Sequence, residues 1–221
     1  MSARNARRGA EAPKAAPRGR RKPRRRQEDR SAETRAKVIR AATECVAELG
    51  FRGATMAAIA RRAGVTWGAI QHQFREKEAI LDAVLEASLV ELEAQLAELG
   101  ESEPSVAVRV HAFVRKARKL VRGPSYRAFV EIQLNRAREE QRDDSAESRW
   151  GRHVGDSLTR AWRQAFGDLG IPAARLLAGQ RFAFMVLSGI AAEAILFPAV
   201  DLSKQHLGEL ERSLLRMYSD A

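Results

Sequence analysis

The sequence predicts an all-α protein of nine helices, with a small helix-turn-helix head at the N-terminal side and a larger helical bundle behind it. Three observations lead there. Ala, Leu, Glu and Arg dominate a chain of 221 residues that is 45% apolar, 30% charged and 6% aromatic, a composition rich in helix formers. Ile, Val and Thr never gather in period-2 runs, so no strand is expected. Gly and Pro recur at intervals that suit helices joined by short turns.

The elements follow in order. Residues 1–30 hold twelve Lys or Arg against three Asp or Glu, and so carry +9 of the net charge of +11. They include Pro13, Pro17 and Pro23 but no Val, Ile, Leu, Phe, Trp or Tyr. With no face to bury, they are expected to form a disordered basic tail. The first helix is expected over about 33–49 and stops at Gly50. Thr55 caps a helix to about Ala63, and Thr66 caps another to about Gln73. A long helix over about 77–99 repeats Ile80, Leu81, Val84, Leu85, Leu89, Leu92, Leu96 and Leu99 at helical spacing. Pro104, Pro124 and Pro172 stand at first helical positions, opening helices of about 104–121, 124–140 and 172–196. Helices of about 146–168 and 203–219 complete the set. The domain reading is a tail (1–30), a head (31–92, motif 55–74) and a bundle (93–221).

Several classes of function are excluded. Cys45 is the only cysteine, so no intrachain disulfide forms, and its place on the stripe Val38, Ala42, Cys45, Leu49 marks it as a buried small side chain. The longest apolar run, Phe182 to Phe197, is interrupted by Ser188, Gly189 and Glu193, so no membrane span is expected. The N-terminal segment has neither the h-region of a secretory signal nor the pattern of a transit peptide, which leaves a cytoplasmic reading. His111, His153 and His206 share no metal-ligand spacing with one another or with Cys45. There is no Gly-rich phosphate loop, no Ser-His-Asp set and no paired carboxylates in a cleft context. No metal, cofactor or catalytic residue is expected, and the chain does not read as an enzyme. Glu193 is the one charge in its apolar run and either lines a pocket or subunit interface or lies on a solvated helix edge.

The informative stretch is "TMAAIARRAGVTWGAIQHQF", Thr55 to Phe74. Two short helices that cross closely need a small residue at the crossing, a residue tolerant of positive φ in the turn, and an apolar plug from the second helix. Ala60, Gly64 and Ile70 supply these in register, and Ile59 and Val65 complete a small core.

This stretch and its flanks, "TRAKVIRAATECVAELGFRGATMAAIARRAGVTWGAIQHQFREKEAIL", resemble the TetR/AcrR family of bacterial transcriptional regulators. The resemblance covers about Ser31 to Glu91 and rests on Gly50, Thr55, Ile59, Ala60, Ala63, Gly64, Val65, Gly68, Phe74, Lys77 and Glu78. It implies a TetR-like fold, a DNA-binding head, and a bundle that dimerises and encloses a small-molecule effector cavity. The implied partners are an inverted-repeat operator in double-stranded DNA, a second copy of the chain and an unidentified effector, with no membrane. The sequence departs from the family at Gln71, where an aromatic is usual, at Gln73, where His is common, and at Glu76, where a short capping residue is favoured.

By this resemblance Thr55 and Lys77 hold backbone phosphates and Thr66 sits at the mouth of the major groove. For the threonines plain capping is the simpler role, and for Lys77 a solvated charge. Gly68 costs a short helix about 1 kcal/mol relative to Ala, which a close approach of backbone to DNA would explain. Trp67 either touches a thymine methyl or sugar edge or folds back on the preceding helix. Gln71 either bonds a phosphate or reads adenine, and His72 either bonds a phosphate or packs at the surface. Arg61 and Arg62 point about 100° apart, so at most one of them can face the duplex squarely, and Arg62 is the candidate. Phe113, Tyr126, Phe129, Trp150 and Trp162 lie on inward faces of the bundle and, as a group, are candidates to line the effector cavity that the resemblance implies; aromatics at helical spacing are more often core, so each taken singly is a weak candidate. The reading is a dimeric repressor released from its operator by a small molecule. The alternatives are a helical carrier or enzyme with an incidental DNA-like motif, and a tail-driven, sequence-independent DNA packaging protein.

Overall fold

The computed structural model describes residues 22–100, 105–140, 149–197 and 203–219. Among these it contains nine helices and no strand. They are α1 (Lys22–Gly53), α2 (Met56–Ala63), α3 (Trp67–Gln73), α4 (Lys77–Gly100), α5 (Val106–Leu120), α6 (Pro124–Glu140), α7 (Arg149–Phe166), α8 (Ala173–Leu196) and α9 (Ser203–Ser219). Pro124 opens α6 as its first residue, whereas Pro172 stands one position earlier, as the N-cap of α8. Pro104 lies outside the described residues.

The first helix corrects two expectations. It begins at Lys22, so residues 22–30 are helical, while residues 1–21 of the basic tail lie outside the described residues. Arg, Lys, Gln and Glu are good helix formers, and adding turns to an existing helix avoids the cost of nucleation. A segment can therefore be helical without burying a face. At the other end the backbone breaks at Gly50, with φ 75° and ψ 170°, a conformation open essentially to glycine alone. One further turn, to Gly53, follows the break.

The apolar residues fall into two clusters. One unites Val38, Ala42, Cys45 and Val46 of α1 with Ile59, Ile70, Phe74, Ile80, Leu81, Val84 and Leu85, and includes Ala128 and Ile132 of α6. The other fills the bundle between α4, α5, α6, α7, α8 and α9. The head is thus not closed on itself, because α6 supplies part of its core. Leu49, placed on the buried stripe from the sequence, is instead 50% exposed.

Burial in the bundle has a consequence for alkaline stability. The chain has two tyrosines, and burial pushes both phenols up to about 12. Tyr126 is opposed in part by Ser188, whose hydroxyl lies 3.4 Å from the phenol oxygen. Tyr218 accepts from the Trp162 indole N–H at 3.0 Å. A pKa raised in the folded state contributes stability that is complete below the unfolded value near 10 and lost as pH rises towards 12. Tyrosinate absorbance should therefore stay absent above pH 10 while the fold holds, then appear together with the loss of helical signal. A gradual rise centred near pH 10 in folded protein would show that the phenols are open to solvent.

α8 is the one helix among the described residues long and apolar enough, by length and composition, to cross a membrane. Ser188, Gly189 and Glu193 interrupt its apolar run. Its two faces explain the composition. Leu176, Gln180, Ala183, Leu187 and Ile190 are buried in the bundle, while Met185 (66%), Leu196 (70%) and Phe197 (59%) are exposed on the other side.

Candidate nucleic-acid interface

The helix-turn-helix forms from local chemistry. Thr55 Oγ1 accepts from the Ala58 N–H and Thr66 Oγ1 from the Ala69 N–H, both at 3.2 Å, so each hydroxyl satisfies a donor left over at a helix start. Gly64 closes α2 in the left-handed region, φ 64° and ψ 34°, and its position lets the Val65 N–H reach the Ala60 carbonyl at 3.2 Å. Ile59 and Ile70 are fully buried at the crossing, and Ala60 packs at the edge of the same cluster. α3 is fastened to α1 at its far end. There Gln73 Nε2 donates to Ser31 Oγ at 2.6 Å and the Arg35 guanidinium lies 4.4 Å from the Phe74 ring centre. Gln73 is in this way an internal strut.

This packing leaves one face of α3 in solvent. Thr66, Trp67, Gly68, Gln71 and His72 are all exposed. Trp67 is 48% exposed, so about half of its surface is open to solvent. Gly68 has no internal reason to be glycine. Its φ is not positive, and a Cβ there would meet no atom within 4 Å.

Two sequence candidates have other employment. The Arg62 guanidinium is hydrogen-bonded to Glu48, with Glu44 at 3.7 Å, and so ties α2 to α1. That bond holds the Glu48 carboxyl below its ordinary range and raises Arg62 further. Both arginines of the adjacent pair are exposed, and Arg62 is the one tied to α1. Lys77, half-buried at the start of α4, donates from Nζ to the Phe51 carbonyl at 2.6 Å and lies 4.6 Å from the Phe51 ring centre. Sequence reasoning could not see either pairing, since both partners lie in other helices.

The same peptide reveals a residue that was missed. The Phe51 N–H, freed by the break at Gly50, donates to Glu131 Oε1 of α6 at 2.9 Å. Phe51 is thereby held through its carbonyl by the first residue of α4 and through its amide by the bundle. A glutamate amid the alternating polar residues of α6 gave no signal of this.

The effector-pocket candidates divide. Phe113 and Trp162 are 3% and 0% exposed. The Phe113 ring meets the indole edge-on at a centroid separation of 5.0 Å, and Phe166 lies 4.8 Å from Trp162 on another side. Both rings pack against aromatic neighbours within the bundle core. Tyr126 is also buried, stacked on Phe129 at 6.2 Å. Trp150 is partly buried, with its indole N–H donating to Gln133 Oε1 at 2.8 Å. An open cavity of about 510 Å³ lies elsewhere, between α8 and α9, lined by Phe182, Val186, Gly189, Glu193, Leu196, Phe197 and His206 among others. Glu193 lines it and faces His206 at 3.7 Å. Among the described residues no three His, Cys, Asp or Glu converge on a metal-sized space.

Two capped helices crossing at a left-handed glycine, with a second helix exposed along one face, define a helix-turn-helix head built onto a helical bundle. Residues 38–84 match the family described as bacterial regulatory proteins, tetR family. The matched segment takes in α2 and α3 with the adjoining parts of α1 and α4. The HTH-type transcriptional regulator BetI of Escherichia coli is 47% identical over 51 residues, a match that spans 23% of this chain and only 26% of BetI. Solved structures extend the likeness of fold to the bundle. A transcriptional regulator from Rhodococcus sp. Rha1 matches with a TM-score of 0.63 at 20% identity, covering 83% of this chain and 97% of that one. SmeT, the repressor of the Stenotrophomonas maltophilia multidrug efflux pump SmeDEF, matches with a TM-score of 0.58 at 24% identity, covering 85% and 91%.

Proposed function

We propose that the protein is a homodimeric transcriptional regulator that represses from an inverted-repeat operator and is released by a small-molecule effector. The observation that carries the reading is α3, a recognition helix whose exposed face includes a glycine that no internal contact or backbone angle explains. Dimerisation through the exposed face of α8 with α9 sets two such heads on one duplex, spaced by about one helical turn or a multiple of it. An effector acts from the bundle, and SmeT, which is known in a complex with triclosan, lends support by its shared fold. Tyr126 and Phe129 lie on α6, the helix that also delivers Glu131 to Phe51 and Ala128 and Ile132 to the core of the head. A ligand that displaces α6 therefore acts on the head directly, and it releases DNA only by binding the released arrangement more tightly.

Nuclease footprinting on DNA upstream of the protein's own gene tests this. Two protected half-sites in inverted repeat are expected, and uniform protection without discrete sites would refute it. Salt dependence adds a second measurement. Residues 1–21 contain seven Lys or Arg and one Glu, directly preceding α1. Neutralising about four phosphates contributes roughly −3 to −4 to the slope of log affinity against log salt. Deleting residues 1–21 is expected to flatten the slope by that amount on operator and random DNA alike, because phosphate contacts position while base contacts specify. An unchanged slope would make the tail a solubilising extension only.

A further inference from the structure

The exposed face of α3 is lopsided in its chemistry. The helix reads WGAIQHQ and contains no Lys, Arg, Asp or Glu. The commonest specific base contact, a cationic side chain on guanine O6 and N7, is therefore closed to it, as is a carboxylate on cytosine N4. Arg62, the nearest cation of α2 proposed from the sequence, is committed to Glu48 and Glu44. What α3 does present fits the other base pair. A side-chain amide accepts from adenine N6–H and donates to adenine N7, and apolar surface packs on the thymine methyl.

The two suitable side chains are also placed together. Trp67 and Gln71 are exposed and four residues apart, hence on one helix face and about 6 Å apart along the axis. That is close to two base-pair steps of about 3.4 Å. Gly68 lies beside Trp67, with open space where its Cβ would be. The missing side chain lets the backbone of the first turn sit deeper in a groove, where a rigid indole reaches further than its length alone allows. His72 points about 100° away from Gln71 and stands outside the pair.

We propose that the recognition helix reads A·T pairs, with Trp67 on a thymine methyl and Gln71 bidentate on an adenine about two steps away. The operator half-site is then A·T at the positions beneath α3, and the exposed Arg61 and Arg75 serve the phosphate backbone on either side. The proposal rests on the DNA-binding reading above and deepens it by naming the base chemistry.

The test uses full-length protein and duplexes selected from random DNA. Each thymine of the selected half-site is replaced by deoxyuridine, which removes only the methyl, and each adenine by 7-deazaadenine, which removes only N7. Affinities are measured for wild type, Trp67→Ala and Gln71→Ala. One deoxyuridine position is expected to weaken wild type about fourfold, the worth of one buried methyl, and to leave Trp67→Ala unaffected. One 7-deazaadenine within about two steps of it is expected to weaken wild type about fivefold or more and to leave Gln71→Ala unaffected. Both residues are exposed, so the thermal midpoints of the variants should match wild type. Half-sites with G·C pairs beneath α3, or deoxyuridine effects that persist in Trp67→Ala, overturn the proposal and leave a sequence-specific regulator standing. Selection that yields no preferred sequence at all overturns the DNA-binding reading and the proposal together.

Discussion

Gly189→Arg is expected to turn the protein into a monomer and to lower operator affinity about a hundredfold or more. Gly189 lies in the wall of the α8–α9 cavity, and a Cβ there meets no atom within 4 Å. Gly189 is exposed, so the protomer has room for the start of a longer side chain there. A two-fold interface cannot, because each copy would bring its own cation to the same apolar contact. Exposed Met185, Leu196 and Phe197 supply the apolar surface that such an interface covers, and their burial against a second copy offsets the cost of exposing them. Losing the dimer leaves one head per duplex and removes the intramolecular second contact, an advantage commonly of about 10² to 10⁴. Sedimentation at micromolar concentration and titration of a labelled operator measure both effects, with circular dichroism confirming that helicity is kept. A variant that remains dimeric would move the interface away from α8.

Trp162→Ala is expected to cost about 3–5 kcal/mol of stability, a large share of the roughly 5–15 kcal/mol available to a whole domain. The indole is fully buried among Phe113, Phe166 and Phe184 and donates to the Tyr218 hydroxyl. Truncation opens a void and deprives that hydroxyl of its donor. With about 2–4 °C per kcal/mol in a chain of this size, the thermal midpoint should fall by roughly 6 to 20 °C. Trp162→Phe keeps most of the volume and should lose far less. The measurement also decides the role of the residue. A ligand-lining tryptophan would lose effector affinity at little cost in stability, and the reverse is expected here.

What could be read from the sequence was whatever depends on local chemistry. Thr55 and Thr66 were legible as caps, Gly64 as the left-handed turn and Ile70 as the plug, because each requirement is met within a few residues of chain. The helix breaks were legible for the same reason. The start of α1 was not, since residues 22–30 satisfy helix propensity while failing every test for burial, and propensity prevails when a helix already exists downstream. The pairings of Arg62 with Glu48, of Lys77 with the Phe51 carbonyl and of Glu131 with the Phe51 amide join separate helices, and no spacing rule reaches them. The aromatics of the bundle were recognised as inward-facing. Whether an inward ring lines a cavity or fills one depends on its neighbours across three or four helices, which no spacing rule supplies.

The sharing of α6 between the two halves bears on how this protein can be re-engineered. A biosensor built by fusing the first 92 residues to a foreign bundle would leave behind Ala128 and Ile132, both fully buried against the head, together with Glu131 and its bond to the Phe51 amide. The orphaned amide and the uncovered apolar floor would each count against the hybrid before any question of signalling arose. A portable unit is therefore not a contiguous stretch of chain. It is the first four helices together with one face of the sixth, and a working graft would transplant that face onto the acceptor, residue for residue.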